Sequence, residues 1–155
     1  MSTDITIARE TPLGPDLTEL HARHTAAMHA DTPPGSIHML PADALAAPEI
    51  AFFVMRRAGT PVGMGAFKRM SAQEAEIKSM HVLSELRGQG LARVMLDHLI
   101  SEARAEGITR LSLETGAQAS FEAARQLYLR AGFTECPPFA SYRPDPNSVF
   151  LTRTI

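Results

Sequence analysis

Arg87-Gly88-Gln89-Gly90-Leu91-Ala92 separates a strand-like segment from a long helical one. Ahead of it, Ala75 to Leu83 reads as a strand. Behind it, Ala92, Met95, Leu96, Leu99 and Ala103 recur three and four residues apart, which predicts an amphipathic helix from about Gly90 to Glu106, closed by Gly107. Glycines let a backbone turn sharply and let a ligand come close. The first turn of a helix carries free N–H groups and partial positive charge, a seat for a pyrophosphate, and Arg87 adds a cation at its rim. The plainer alternative is that Gly88 and Gly90 only make a tight turn.

Two phosphate motifs can be tested against these residues. A P-loop ends in Gly-Lys-Ser/Thr, whereas Gly90 is followed by Leu91 and Ala92. The dinucleotide fingerprint needs a small residue three positions after its second glycine, and that position is Arg93. Glu114 does stand where a ribose-binding acid would, so a nicotinamide-binding reading survives as a third choice.

Outward from the turn, the chain alternates strands and helices. Asp4 to Arg9 alternates apolar and polar residues as a first strand. Asp16, with Glu19 three residues on, is expected to cap a helix with the stripe Leu17, Leu20, His21, His24, Ala27 and Met28. Asp31 to Pro48 is broken by prolines into a loop with short turns. Ile50 to Arg57 and Val62 to Met70 flank Ala58-Gly59-Thr60-Pro61 as a hairpin. Thr109 to Glu114 is another strand. Ser120 is expected to cap a last helix that ends at Gly132. Short strands near Phe133–Cys136 and Ser148–Thr154 are joined by the Pro-rich loop Pro137 to Asn147. The order predicts a mixed sheet with helices on its faces, an α/β or α+β arrangement, in one domain spanning residues 1–155.

Composition narrows the classes. The 155 residues are 45% hydrophobic and 21% charged, enough for a real core, and the net charge of -2 argues against nucleic acid. No apolar run is long enough for a membrane span, and Met1 to Glu10 does not read as a signal peptide. Cys136 is the only cysteine, so no internal disulfide can form. A cytoplasmic location is expected.

Arg87-x-x-Gly90-x-Ala92 resembles the CoA-binding signature of the GNAT acetyltransferase superfamily. Glu76-Ile77-Lys78-Ser79-Met80-His81-Val82 is similar to that fold's fourth strand. Ala124-x-x-Leu127-Tyr128-x-x-x-Gly132-Phe133 resembles its second hallmark. Glu-Ile-Lys-Ser-Met at 76 to 80, Leu-Glu-Thr-Gly at 113 to 116 and Pro-Phe-x-x-Tyr at 138 to 142 look like one bacterial subgroup of small members. The resemblance implies a mixed, mostly antiparallel sheet of about six to seven strands, flanked by helices and splayed between the fourth and fifth strands. It implies acetyl-CoA as co-substrate and direct transfer to an amine of a small-molecule acceptor.

Residue by residue, the resemblance implies that Tyr128 protonates the departing thiolate and that Glu76 is the base, with His81 as rival. A strand-edge charge paired with Lys78 is the plainer reading of Glu76. The backbone of Met80, His81 and Val82 would hold the pantetheine arm. Arg87, Gly88, Gln89, Gly90, Leu91 and Ala92 would hold the pyrophosphate. Phe121 stands where many members have a CoA-holding Asn, so Thr115 or Ser120 is expected to compensate. A non-catalytic acyl-CoA-binding sensor is the alternative function.

Acceptor selectivity is expected from the first helix and the two Pro-rich loops, which supply His21, His24, His38, Tyr142 and Arg143. These residues predict a small, partly apolar acceptor in a pocket that is not strongly acidic; a carboxylate on the acceptor could pair with Arg143, and a solvated Arg143 is the plainer alternative. His21, His24, His29 and His38 suggest a metal only on spacing, and no Cys or Asp completes a set, so no metal is expected. No nucleic-acid or membrane partner is expected, and a homodimer is compatible with the sequence.

Overall fold

The computed structural model describes residues 4–155; residues 1–3, part of the amino-terminal segment read above against a signal peptide, lie outside the described residues. Among the described residues seven strands form one sheet: β1 (Ile5–Arg9), β2 (Ile50–Arg57), β3 (Thr60–Arg69), β4 (Glu74–Val82), β5 (Arg110–Gly116), β6 (Thr134–Glu135) and β7 (Ser148–Thr154). Their order is β1-β2-β3-β4-β5-β7-β6. Every pairing is antiparallel except β4 with β5. The helices α1 (Thr18–Asp31), α2 (Leu91–Ala105) and α3 (Glu122–Arg130) accompany the sheet.

Helices cover both faces, so the central strands are buried on both sides. Phe52 and Val54 of β2 pack with Leu17, Leu20 and Leu45 beneath α1. Phe53 and Met55, the alternate residues, pack with Met95, Leu96 and Leu99 of α2. That doubled burial explains the continuous apolar run of β2. The β2–β3 link is a two-residue turn, Ala58 and Gly59, with φ of +50° and +87°. Both values suit the tight hairpin turn that matches strand twist, and Thr60 and Pro61 belong to β3.

Two expected caps fail for one reason. A turn of 3-10 helix precedes each helix, at Pro15–Leu17 and at Ala119–Phe121, and moves its start past the expected residue. Neither α1 nor α3 has a side-chain cap. Asp16 instead accepts from Arg56 at 2.7 Å, and Arg56 also holds Glu10, so the entry to α1 is tied to β2. No helix among the described residues is long and apolar enough to cross a membrane.

Candidate active-site cleft

The site begins where β4 and β5 part. Their ladder holds only three pairs: Glu74 with Arg110, Ala75 with Leu111 and Glu76 with Ser112. Beyond these, β5 stays paired with β7 as far as Gly116, and β4 stays paired with β3 as far as Val82. A bulge makes the divergence. The β3–β4 register shifts between Met64 and Ala66, and Ser79 sits in the left-handed region at φ +58°. Bulges bend a strand and increase its twist. Gly65 makes room for it, since a Cβ there would lie 3.0 Å from Met95 Cγ and 3.1 Å from Met80 Sδ. The result is an open cleft, with a strand edge free of partners on the β5 side.

The same strand leads into the glycine turn. Gly88 and Gly90 have φ of +80° and +75°, and a Cβ on either would meet nothing within 4 Å. Both therefore owe their identity to backbone conformation and stand against open space. Gly90 leads directly into α2, whose first N–H groups are free. Arg87 is exposed. The Gln89 side chain accepts from Arg57 at 2.8 Å, and Leu91 is buried in the core, so these two offer a ligand their backbone. Ala92 is half-buried on the first turn of α2.

Tyr128 of α3 reaches the cleft while only 6% exposed, its ring edge-on to Phe133 at 5.7 Å. Burial pushes its phenol well above the ordinary value, so the proton is firmly held. Thr115 lines the cleft, whereas Ser120 is exposed and does not. Phe121 lies over Gly116, where a Cβ would come within 2.3 Å of the ring. Arg125 donates to the carbonyls of Gly116 and Gln118 at 2.7 and 2.8 Å, fixing the bend that carries Phe121.

The other half of the cleft is built from side chains distant in sequence. Glu76 is buried at 5% exposure. The Tyr142 hydroxyl and the Lys78 ammonium both donate to its Oε2, the latter at 3.0 Å. Lys78 also donates to Tyr142 Oη at 3.0 Å and approaches the His38 carbonyl at 3.5 Å. Burial and the neighbouring Glu76 push the Tyr142 phenol up. The His38 ring meets Tyr142 edge-on at 5.1 Å. Two loops close over this cluster, joined by Ser36, which donates to Asp145 at 2.6 Å and accepts from Asn147 at 3.2 Å. Glu114 also lines the cleft, with Ser148 donating to its Oε2 at 2.7 Å.

Several of the expected site residues lie elsewhere. His21 is not in the cleft: its Nε2 lies 2.9 Å from the Pro12 carbonyl and its ring stacks on Phe52. Arg143 is exposed and lies outside the cleft lining. His81 packs beside His24, rings 5.1 Å apart, and its side chain does not line the cleft. Burial, with Arg23 and Arg87 nearby, lowers the His81 pKa to about 4, and burial beside His81 and His21 lowers that of His24 to about 4. His24, His38 and Tyr142 do line the cleft, as do Met28 and Met39. The pocket is also more charged than expected, with Glu76, Glu114 and Lys78 inside it. Lys78 was foreseeable, being two residues from Glu76 and so on the same strand face. No group of three or more His, Cys, Asp or Glu among the described residues is placed to hold a metal ion.

An unpaired strand edge and a buried tyrosine meet in this cleft, and the glycine turn that opens α2 lies beyond its lining, further along the chain from the same strand. The sequence profile of the acetyltransferase (GNAT) family matches residues 15–133, and the chain belongs to that family of acetyltransferases. It is 43% identical over 142 residues to YsnE, an uncharacterised N-acetyltransferase of Bacillus subtilis (strain 168), covering 92% of this chain and 94% of that protein. It is 37% identical over 153 residues to an IAA acetyltransferase of Azospirillum brasilense, covering 98% of this chain and 99% of the relative. The PaiA N-acetyltransferase of Thermoplasma acidophilum, solved in complex with coenzyme A, shares the fold at a TM-score of 0.73 and 14% identity, over 97% of this chain and 99% of that one.

Proposed function

We propose that residues 1–155 act as one acetyl-CoA-dependent N-acetyltransferase domain, transferring acetyl directly to an amine of a small, partly apolar acceptor. The observation that carries this reading is the separation of β4 from β5 with Tyr128 buried in the gap. The chain fits the co-substrate: the space around Gly88 and Gly90 is open, and the β4 edge from Ile77 onward has no partner on the β5 side. Acetyl-CoA supplies an activated acetyl group as a thioester.

The chain's residues divide the work. Arg87 and the backbone of Gly88 to Ala92 hold the pyrophosphate. The backbone of Met80 to Val82 pairs with the amides of the pantetheine arm, as a strand edge pairs with an added strand. Thr115 offers a hydroxyl where Phe121 offers none. Tyr128 gives its proton at Oη to the departing sulfur; burial keeps that proton in place until it is needed. Met28, Met39 and Phe121 give the acceptor an apolar surface. Arg143, outside the cleft, has no part in it.

The test is CoA release from acetyl-CoA with a panel of alkyl and aryl amines. Turnover is expected with at least one amine. Tyr128→Phe should lower it by roughly 10²–10⁴-fold, the weight of a general acid, while acetyl-CoA affinity hardly moves. Tight acetyl-CoA binding without turnover by any amine would instead favour a CoA-binding sensor.

A further inference from the structure

Two carboxylates enter the cleft, and the fold gives them different neighbours. Glu76 stands at the closed end, in the last β4–β5 pair. Its Oε2 receives both the Tyr142 hydroxyl and the Lys78 ammonium. Accepting a substrate proton there would break up a buried, charge-matched cluster. Glu114 stands two residues beyond Ser112, where β5 has left β4 and is held by β7 alone. Among the described residues only Ser148 hydrogen-bonds to its carboxylate, through Oε2, so Oε1 has no protein donor.

The groups that act on Glu114 come from every side of the cleft. His38 belongs to the loop after α1, Glu76 and Lys78 to β4, and Ser148 to β7. Tyr142 of the closing loop, Tyr128 of α3 and His24 of α1 line the same cleft. Burial raises the Glu114 pKa above its ordinary value, and this outweighs the opposing effects of the Ser148 bond and of Lys78. No ion pair among the described residues neutralises this half-buried carboxylate, and its Oε1 is left to take a cation from outside.

We propose that Glu114, and not Glu76, receives the acceptor: its free oxygen binds the ammonium of a cationic amine and takes its proton, while Glu76, Lys78 and Tyr142 form a fixed wall that positions it. The proposal rests on the acetyl-to-amine reading above. The step balances in protons and electrons. The ammonium loses one proton to Glu114, which passes it to solvent. The nitrogen lone pair forms the bond to the acetyl carbon, and the carbon–sulfur pair leaves on sulfur. Sulfur takes the Tyr128 proton, and Tyr128 regains one from the second N–H of the new amide nitrogen.

The experiment compares wild type, Glu114→Gln, Glu114→Asp and Glu76→Gln with the alkylamine that wild type turns over fastest. Circular dichroism and acetyl-CoA affinity by calorimetry establish that each variant is folded and loaded. For Glu114→Gln, kcat/KM for the amine should fall by roughly 10²–10⁴-fold. Its pH profile should lose the enzyme's acid-side limb and follow the amine's own ionisation. Glu114→Asp should keep part of the rate and keep the limb, and it decides the matter if the Gln variant does not fold. Glu76→Gln should raise KM for the amine and keep the limb. The proposal is overturned if Glu114→Gln stays within about threefold of wild type, or if Glu76→Gln is the variant that loses the limb. Wild type that binds acetyl-CoA yet releases no CoA with any amine overturns the acetyl-to-amine reading, and this assignment with it.

Discussion

The two halves of the proposed site are made of different materials. The half assigned to CoA is backbone: a strand edge freed by a bulge at Ser79, two glycines at positive φ, and the N-terminus of α2. The half assigned to the acceptor is side chain: Lys78, Glu76 and Tyr142, walled by His38, with Ser36 and Asp145 tying the two loops together from 109 positions apart. Backbone can bind a ligand common to many relatives while side chains vary freely around it. The side-chain half is where one family member can differ from the next.

The sharpest way to break this comparison is to damage the backbone half alone. Gly90→Val puts a branched residue at φ +75°, with its side chain in the open space assigned to phosphate. Losing two charge-assisted hydrogen bonds should weaken acetyl-CoA by about 10²-fold. Calorimetry on a folded variant checks this, and unchanged affinity would remove the turn from the site.

A smaller effect is expected from the side-chain half. Ser36→Ala removes the join between the two loops. Acceptor KM should rise by about fivefold, the weight of one ordinary hydrogen bond, with acetyl-CoA affinity untouched. A shift in acetyl-CoA affinity instead would mean that the halves are not separable.

This difference also decides what could be read from the sequence. The glycine turn and the strand before it were legible as local patterns, glycines before a helical period; the helix that carries Tyr128 was legible from spacing, but the role expected of Tyr128 came from the family resemblance alone. The order of strands followed from hydrophobic periodicity, and the Ala58-Gly59 hairpin from turn chemistry. Glu76, His38 and Tyr142 were singled out one by one, but the contacts that join them into a wall were not legible, because no local pattern links Tyr142 to Glu76, 66 positions earlier. His21 and Arg143 lie outside the cleft lining for different reasons: His21 on α1 turns to the Pro12 carbonyl and Phe52, and Arg143 stands on a loop, whose sequence does not say which way its side chains face. Both failed caps came from single 3-10 turns, which have no strong signature of their own.

The smallest effect concerns the seam between α1 and β4. His24 and His81 have pKa values of about 4, against 6.5 for an ordinary histidine. The unfolded chain therefore takes up protons as pH falls through 6.5, and the folded protein resists until about 4. Their contribution to stability is full above pH 6.5 and is lost as pH falls from 6.5 towards 4. For His24 the loss at pH 5 is about 2 kcal/mol, or roughly 4–8 °C in Tm. His24→Leu should flatten the difference in Tm between pH 7.5 and pH 5, measured by thermal melts. Wild type with the same Tm at both values would contradict the neutral burial of the pair.

The central claim is that the opening between β4 and β5, with the turn that follows it, receives CoA. Hydrogen–deuterium exchange with and without CoA tests it most directly. Protection is expected at Met80 to Val82 and at Gly88 to Ala92, and none at the edge strand Ile5–Arg9. Exchange at Met80 to Val82 that is unchanged by saturating CoA would contradict the account.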